Sequence, residues 1–103
     1  MTLHIKPPQM PTNLSLVETR TPLSDEDIYS DCCMDRCVFT GKVRSLNIAR
    51  ARLRNVRFET SLPAAEFEDV VFDRCDLSNV DFRDAILWRI VFQNCKMTGV
   101  NFI

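Results

Sequence analysis

Bulky apolar residues recur at every fifth position over the C-terminal part of the chain. They stand at Phe67, Phe72, Leu77, Phe82, Leu87, Phe92, Met97 and Phe102. An α-helix repeats about every 3.6 residues and a strand about every 2.0, so a strict period of five fits neither element. The five-residue repeat is therefore itself the structural unit.

A second position of each unit is also predicted to point inward. The residue two before each bulky centre is small or β-branched, as at Ala65, Val70, Cys75, Val80, Ala85, Ile90, Cys95 and Val100. The same pattern continues upstream through Val43, Ile48, Leu53 and Phe58, but it is offset by one residue. Units of four residues, one between Phe39 and Val43 and one between Phe58 and Leu62, account for the offset.

The segments "CDLSN VDFRD" and "CKMTG VNF" resemble the pentapeptide-repeat family, whose loose pattern is a small residue, Asp or Asn, Leu or Phe, and two polar residues. The resemblance covers roughly residues 32 to 103. It implies an all-β fold, a right-handed quadrilateral β-helix in which four units form one square coil, with about three and a half coils here. The chain departs from the pattern at Val71, Ile86 and Val91, where the family often has Asp or Asn.

Four units per coil predict which residues stack, because residues about twenty apart then lie about 4.8 Å apart on successive coils. The predicted central columns are Met34, Leu53, Phe72 and Phe92; Phe39, Phe58, Leu77 and Met97; Val43, Leu62, Phe82 and Phe102; and Ile48, Phe67 and Leu87. The predicted inner columns are Cys32, Ala51, Val70 and Ile90; Cys37, Val56, Cys75 and Cys95; Gly41, Thr60, Val80 and Val100; and Leu46, Ala65 and Ala85. Large centres that alternate with small residues can fill a narrow coil without voids.

Residues 1–31 carry four of the five prolines and no five-residue repeat, so the predicted domains are 1–31 and 32–103. A solenoid end needs a cover, and we expect residues 1–31 to form an N-terminal cap. The expected capping residues are Leu14, Leu16, Val17, Leu23, Ile28 and Tyr29. A short helix after Ser24, with Asp27 in a capping box, is part of this expectation. The alternative is a disordered proline-rich arm, whose "PPQMP" spacing could dock in an aromatic groove.

Composition narrows the class of protein. The chain has 103 residues, a formal net charge of -1 and 26% charged residues, which argues against binding to nucleic acid or a membrane. No segment is long and apolar enough to span a membrane, and the first residues lack a secretory apolar run. Five cysteines form an odd count without paired spacing, which favours reduced thiols. We therefore expect a cytoplasmic protein.

Candidate catalytic and metal-binding residues are few. Cys32, Cys33 and Cys37 cluster in "DCCMDRC", but two of them fall on inward columns and the spacing is not that of a zinc site. Buried thiols that fill space are the favoured interpretation. His4 is the only histidine, and the many carboxylates suit a solvated surface. We predict no enzyme activity, no metal and no cofactor.

Charge changes sign along the repeat. Residues 36–57 hold seven basic residues and no acid, whereas residues 59–84 hold eight acids and two arginines. One coil is thus predicted to be basic and the next acidic, so that opposite charges attract across coils at about 0 to 1 kcal/mol for each exposed pair. The resemblance also implies a rival role, because some pentapeptide-repeat proteins mimic DNA and bind type II topoisomerases. Such mimicry needs a uniformly acidic rod.

The sequence favours a non-enzymatic protein-interaction or scaffold module, with a DNA-mimicking inhibitor or protector of a topoisomerase as the alternative. The predicted interaction surface is an apolar set, with Val71 and Val91 in one outward column and Ile86 and Trp88 on the adjoining face. The predicted interface of a homodimer is the open C-terminal coil, with Phe92, Met97, Phe102 and Ile103. The alternative to the dimer is a longer solenoid of which this chain is the front part.

Overall fold

The computed structural model describes residues 15–17 and 25–102, and every regular element among them is a β-strand. The strands are β1 (Ser15–Val17), β2 (Ile28–Asp35), β3 (Val38–Lys42), β4 (Asn47–Arg54), β5 (Arg57–Ser61), β6 (Glu66–Asp73) and β7 (Ile86–Gln93). One sheet has the order β1-β2-β4-β6-β7, and a second consists of β3 and β5. All the strand pairs are parallel, as expected where each strand stacks on the previous turn of a solenoid.

The register of the strands agrees with the predicted columns. Met34 pairs with Leu53, Leu53 with Phe72, and Phe72 with Phe92, so three full turns lead from β2 to β7. Successive partners are 19 or 20 residues apart, and the shorter spacing occurs where a turn contains a four-residue unit. The prediction of an all-β quadrilateral β-helix is therefore confirmed.

The core is a stack of apolar side chains along the axis of the solenoid. The buried central residues are Met34, Phe39, Val43, Ile48, Leu53, Phe58, Leu62, Phe67, Phe72, Leu77 and Phe82. Burial of each large side chain contributes on the order of 1.5 to 3 kcal/mol. In the last turn, Leu87, Phe92 and Met97 are only partly buried, because they pack against the core from one side.

Among the described residues, the corners of the solenoid carry a residue with a left-handed backbone, except for the corner at Thr60. The corner lies two residues after a buried centre, and the residues with positive φ are Glu26, Asp31, Arg36, Gly41, Ser45, Arg50, Asn55, Ala64, Asp69, Arg74, Asn79, Asp84, Arg89, Asn94 and Gly99. Asn, Asp and Gly adopt this conformation most readily. Arginine has no such preference, so its four corner positions depend on the packing of the neighbouring turns.

The predicted inward position of Gly41 is wrong. Gly41 is exposed, and its φ of 101° places it at a corner. In a four-residue unit, the residue two after Phe39 is also the residue two before Val43, so one position must serve as both corner and inner residue. Thr60 occupies the equivalent place one turn later, where it is partly buried and its hydroxyl donates to the Gly41 carbonyl.

The N-terminal expectation also needs correction. No helix follows Ser24, because residues 25–26 form a turn and β2 begins at Ile28. Ile28 and Tyr29 pair with β4, which supplies backbone hydrogen bonds that a helix of a few residues would lack. The predicted domain boundary between residues 31 and 32 therefore falls inside β2. β1 adds a further parallel strand to β2, whereas Leu14 and Leu23 lie outside the described residues.

Candidate interaction surface

The corners divide the outside of the solenoid into four faces. The first, here called the Trp88 face, comprises residues 26–30, 45–49, 64–68 and 84–88. The second, the Val71 face, comprises residues 31–35, 50–54, 69–73 and 89–93. The third face comprises residues 36–40, 55–59, 74–78 and 94–98, and the fourth comprises residues 41–44, 60–63, 79–83 and 99–102.

The Trp88 face carries the two most exposed large apolar residues of the last turns. Ile86 is 59% exposed and Trp88 is 58% exposed. Both point outward because alternate residues of a strand lie on the same side of the sheet. The register places Ile86 above Glu66 and Trp88 above Glu68. A shallow groove of about 320 Å³ lies among these side chains, Asn47 and Phe67.

The polar groups around this groove are already partly paired. The Asn47 amide donates to the Glu66 carboxylate over 3.4 Å. The Arg89 guanidinium donates to the Glu68 carboxylate over 3.0 Å, and its Cζ atom lies 5.8 Å from the centroid of the Trp88 ring. The Trp88 indole therefore lies beside the Arg89 guanidinium of the same chain. The Glu66 carboxylate can still accept further hydrogen bonds.

Val71 and Val91 lie on the Val71 face, where they pair directly across β6 and β7. Both are partly buried, and Val71 lines a separate groove of about 170 Å³ with Arg52, Arg54, Asp73 and Gln93. The structure thus brings Ile86 together with Trp88, and Val71 together with Val91. The corner at Arg89 lies between the two pairs, which occupy two adjoining faces.

Charged side chains of opposite sign stack along that corner. Arg50 pairs with Asp31 over 2.6 Å, and Arg89 pairs with Asp69 over 2.5 Å. The hydrogen bond from Arg50 lowers the pKa of Asp31, and the hydrogen bond to Asp69 raises the pKa of Arg89. Sequence reasoning expected attraction between turns but did not identify these pairs. A count of 19 or 20 residues along the corner column would have found them.

The outward charges are sorted by face as well as by turn. Among the described residues, the Trp88 face has five carboxylates and no basic residue, namely Glu26, Asp27, Glu66, Glu68 and Asp84. The third and fourth faces together carry seven basic residues, Arg36, Lys42, Arg44, Arg57, Arg74, Arg83 and Lys96, against three acids, Glu59, Asp76 and Asp81. The Val71 face has four of each sign. The predicted alternation by coil is therefore an incomplete description of the surface.

The C-terminal end of the stack is open in the described part of the chain. Phe102 is 49% exposed, and its ring stacks on Phe82 at 5.5 Å between centroids with an angle of 10°. Phe92 stacks on Phe72 in the same way at 5.0 Å, and Met97 is partly buried. Ile103, also predicted for this interface, lies outside the described residues.

Four of the five cysteines contribute to core packing, because Cys32, Cys37 and Cys75 are buried in the core and Cys95 packs against it. Cys33 is partly exposed, and none of the five cysteines forms a disulfide bond. Burial raises the pKa of Cys32 to about 11 and that of Cys75 to about 12, so these thiols stay protonated and unreactive near neutral pH.

Within residues 15–17 and 25–102, no three His, Cys, Asp or Glu side chains are grouped so that they could hold a metal ion. None of the described segments is a helix with the length and hydrophobicity that a membrane crossing requires. His4 lies outside the described residues.

Comparison with known proteins agrees with this geometry. A family model for pentapeptide repeats matches eight copies, over residues 47–89 and 75–103. The two matched ranges overlap and together cover more than half of the chain, from the start of β4 through the last turn. A search of curated proteins gave no match to this sequence.

Proposed function

The chain belongs to the pentapeptide-repeat family, and from this premise we propose that it is a non-enzymatic module for protein interaction or scaffolding. The family is generally non-enzymatic. The interior of the solenoid is filled by stacked apolar side chains, so functional groups stand on its outer faces. The five reduced cysteines support a cytoplasmic location, because a reducing compartment keeps cysteines in this state.

The exposure of Ile86 and Trp88 is the observation that carries this proposal. Exposed apolar patches mark contact sites, and tryptophan is enriched among the residues that dominate binding energy. Both side chains stand on β7, whose inner side chains pack on the core. A surface held in this way is ordered before binding, which lowers the entropic cost of association.

Chemical crosslinking in an extract of the native cell, followed by capture of the protein, tests this role. Trp88→Ala should remove a specific crosslinked partner and leave the melting temperature nearly unchanged. Val38→Ala is the matched control, because Val38 is 48% exposed on the third face and should retain the partner. Equal capture by the wild type and by Trp88→Ala would contradict the proposal.

A second copy of the chain is the proposed partner at the C-terminal coil. Phe92 and Phe102 extend the stacked aromatic core to the surface, so this end resembles a core cut in two, as in obligate interfaces. Two such ends are self-complementary about a two-fold axis.

Phe102→Asp should give a monomer by light scattering, whereas Val38→Asp, which places the same charge on the third face, should leave a dimer. A wild-type monomer at about 50 μM would remove this proposal, since a functional dimer must form well below that concentration.

The rival role as a DNA mimic has weaker support. A mimic needs a negative potential along the whole rod. The third and fourth faces are predominantly basic, and only the Trp88 face lacks basic residues among the described turns. An assay of type II topoisomerase supercoiling tests this alternative directly, and dose-dependent inhibition by the wild-type protein would favour it.

A further inference from the structure

We propose that the Trp88 face is a docking surface for a segment of another protein that combines Lys or Arg with an apolar side chain. This inference rests on the interaction role proposed above and names the chemistry of the partner. The groove among Ile86, Trp88 and Phe67 is the apolar part of the surface, and the carboxylates around it are the polar part.

The apolar part fits one protruding side chain. The groove of about 320 Å³ is at the small end of the range of ligand sites, about 300 to 1,000 Å³. Phe67 is buried beneath it, and Glu66 and Glu68, which pair with Ile86 and Trp88 in the register, line its side. An apolar side chain that enters here would cover the indole and the Ile86 side chain together.

Charge complementarity identifies the remainder of the partner. The described turns of this face carry five carboxylates and no basic residue, whereas the other three faces all carry basic residues. Glu68 is already held by Arg89, but Glu66 has only the long hydrogen bond from Asn47. Glu66 can therefore accept from an incoming ammonium or guanidinium group, which would lie close to the exposed Trp88 ring.

Other occupants fit this face less well. Acidic peptides and nucleic acids would be repelled by the five carboxylates of this face. A second copy could place its basic third or fourth face here, but such a contact is heterologous and would build a ring or an open chain of molecules instead of a two-fold dimer. A salt-sensitive growth in particle size with protein concentration would reveal that arrangement.

Selection from a library of random twelve-residue peptides, displayed on phage against the whole immobilised protein, tests the inference. Enriched peptides should carry Lys or Arg together with an apolar residue. Synthetic copies of them should lose about tenfold or more in affinity on Trp88→Ala and about three- to tenfold on Glu66→Gln, which correspond to losses of a tryptophan contact and of one charged pair. Glu59→Gln, on the third face, is the matched control and should change nothing.

Selection of peptides without basic residues, no enrichment at all, or binding that is insensitive to both Trp88→Ala and Glu66→Gln would overturn the inference. Salt-sensitive self-association lost on Glu66→Gln would overturn it in favour of a second copy. Capture of the crosslinked native partner distinguishes a failure of this inference from a failure of the interaction role proposed above. If that partner is lost on Trp88→Ala but kept on Glu66→Lys, the interaction role stands and the basic partner chemistry fails. If neither variant affects the partner, both proposals fail.

Discussion

The Arg89 guanidinium donates two hydrogen bonds to the Asp69 carboxylate on the preceding turn, from Nε over 2.5 Å and from Nη2 over 2.7 Å. Asp69 is 4% exposed and is the one buried charged residue in the part of the chain that the structure describes. The pair lies at the corner between the Trp88 face and the Val71 face. It therefore fixes the two faces relative to each other at the turn where the exposed tryptophan stands.

Arg89→Ala should destabilise the fold strongly, because it leaves the buried Asp69 carboxylate without its bidentate partner. Arg50→Ala is a matched control, since Arg50 occupies the same corner column with a φ of 51° against 53° for Arg89, and it pairs with the exposed Asp31. Exposed pairs contribute little. In urea titrations the midpoint should fall several times further for Arg89→Ala than for Arg50→Ala, and similar shifts for both variants would refute this ranking.

Phe82→Ala should cost on the order of 3 to 5 kcal/mol of unfolding free energy, because it opens a cavity in the aromatic stack. Phe82 is 1% exposed and contacts the rings of Phe67 and Phe102 at 5.8 Å and 5.5 Å between centroids. Arg83→Ala changes the next residue, whose side chain is exposed, and should cost less than about 1 kcal/mol. Denaturant unfolding of the two variants measures both values, and comparable losses would show that the core register is wrong.

The stability of the fold should decrease in acid because the Asp76 and Asp81 carboxylates become protonated. Hydrogen bonds from Ser78 lower the pKa of Asp76, and the Arg83 backbone N–H lowers the pKa of Asp81. Because the unfolded chain binds these protons at higher pH than the folded chain, this stabilisation is present at neutral pH. It is lost as pH falls below about 5 towards the lower folded pKa values.

Thermal melting followed at about pH 7 and about pH 3 measures this acid sensitivity. The double variant Asp76→Asn, Asp81→Asn should show a smaller drop in melting temperature between the two conditions than the wild type. The variant Glu59→Gln is a suitable control, since the exposed Glu59 carboxylate forms an ion pair with the exposed Arg57 side chain. An unchanged drop in the double variant would contradict the assignment.

Fluorescence quenching of Trp88 can measure the sign of the charge around the Trp88 face, because Trp88 is the single tryptophan of the chain. Its indole is 58% exposed, so its fluorescence should be that of a solvated ring. Compared with a free tryptophan derivative, caesium ions should quench it more efficiently than iodide, since the surrounding carboxylates attract cations and repel anions. Glu66→Gln should reduce this difference, and stronger quenching by iodide would contradict the acidic character of the face.

The positions of the core residues could be predicted from the sequence. A buried side chain must be apolar and must recur each time the chain returns to the axis, so the spacing of Phe67, Phe72 and Leu77 directly records the geometry of the coil. The two four-residue units were located in the same way, because each shifts the apolar positions by one residue. Pairing of Met34 with Leu53 and of Leu53 with Phe72 follows from that count.

The outward surface was decided by the tertiary structure. Polar side chains outside the core are free of any requirement for periodic spacing, and their neighbours are residues 19 or 20 positions away on the next turn. One such contact is the pairing of Arg89 with Asp69, through which Arg89 adopts a left-handed backbone that arginine does not favour locally. Ile28 joins β2 for a similar reason, since pairing with Asn47 supplies the hydrogen bonds that local sequence preferences do not specify.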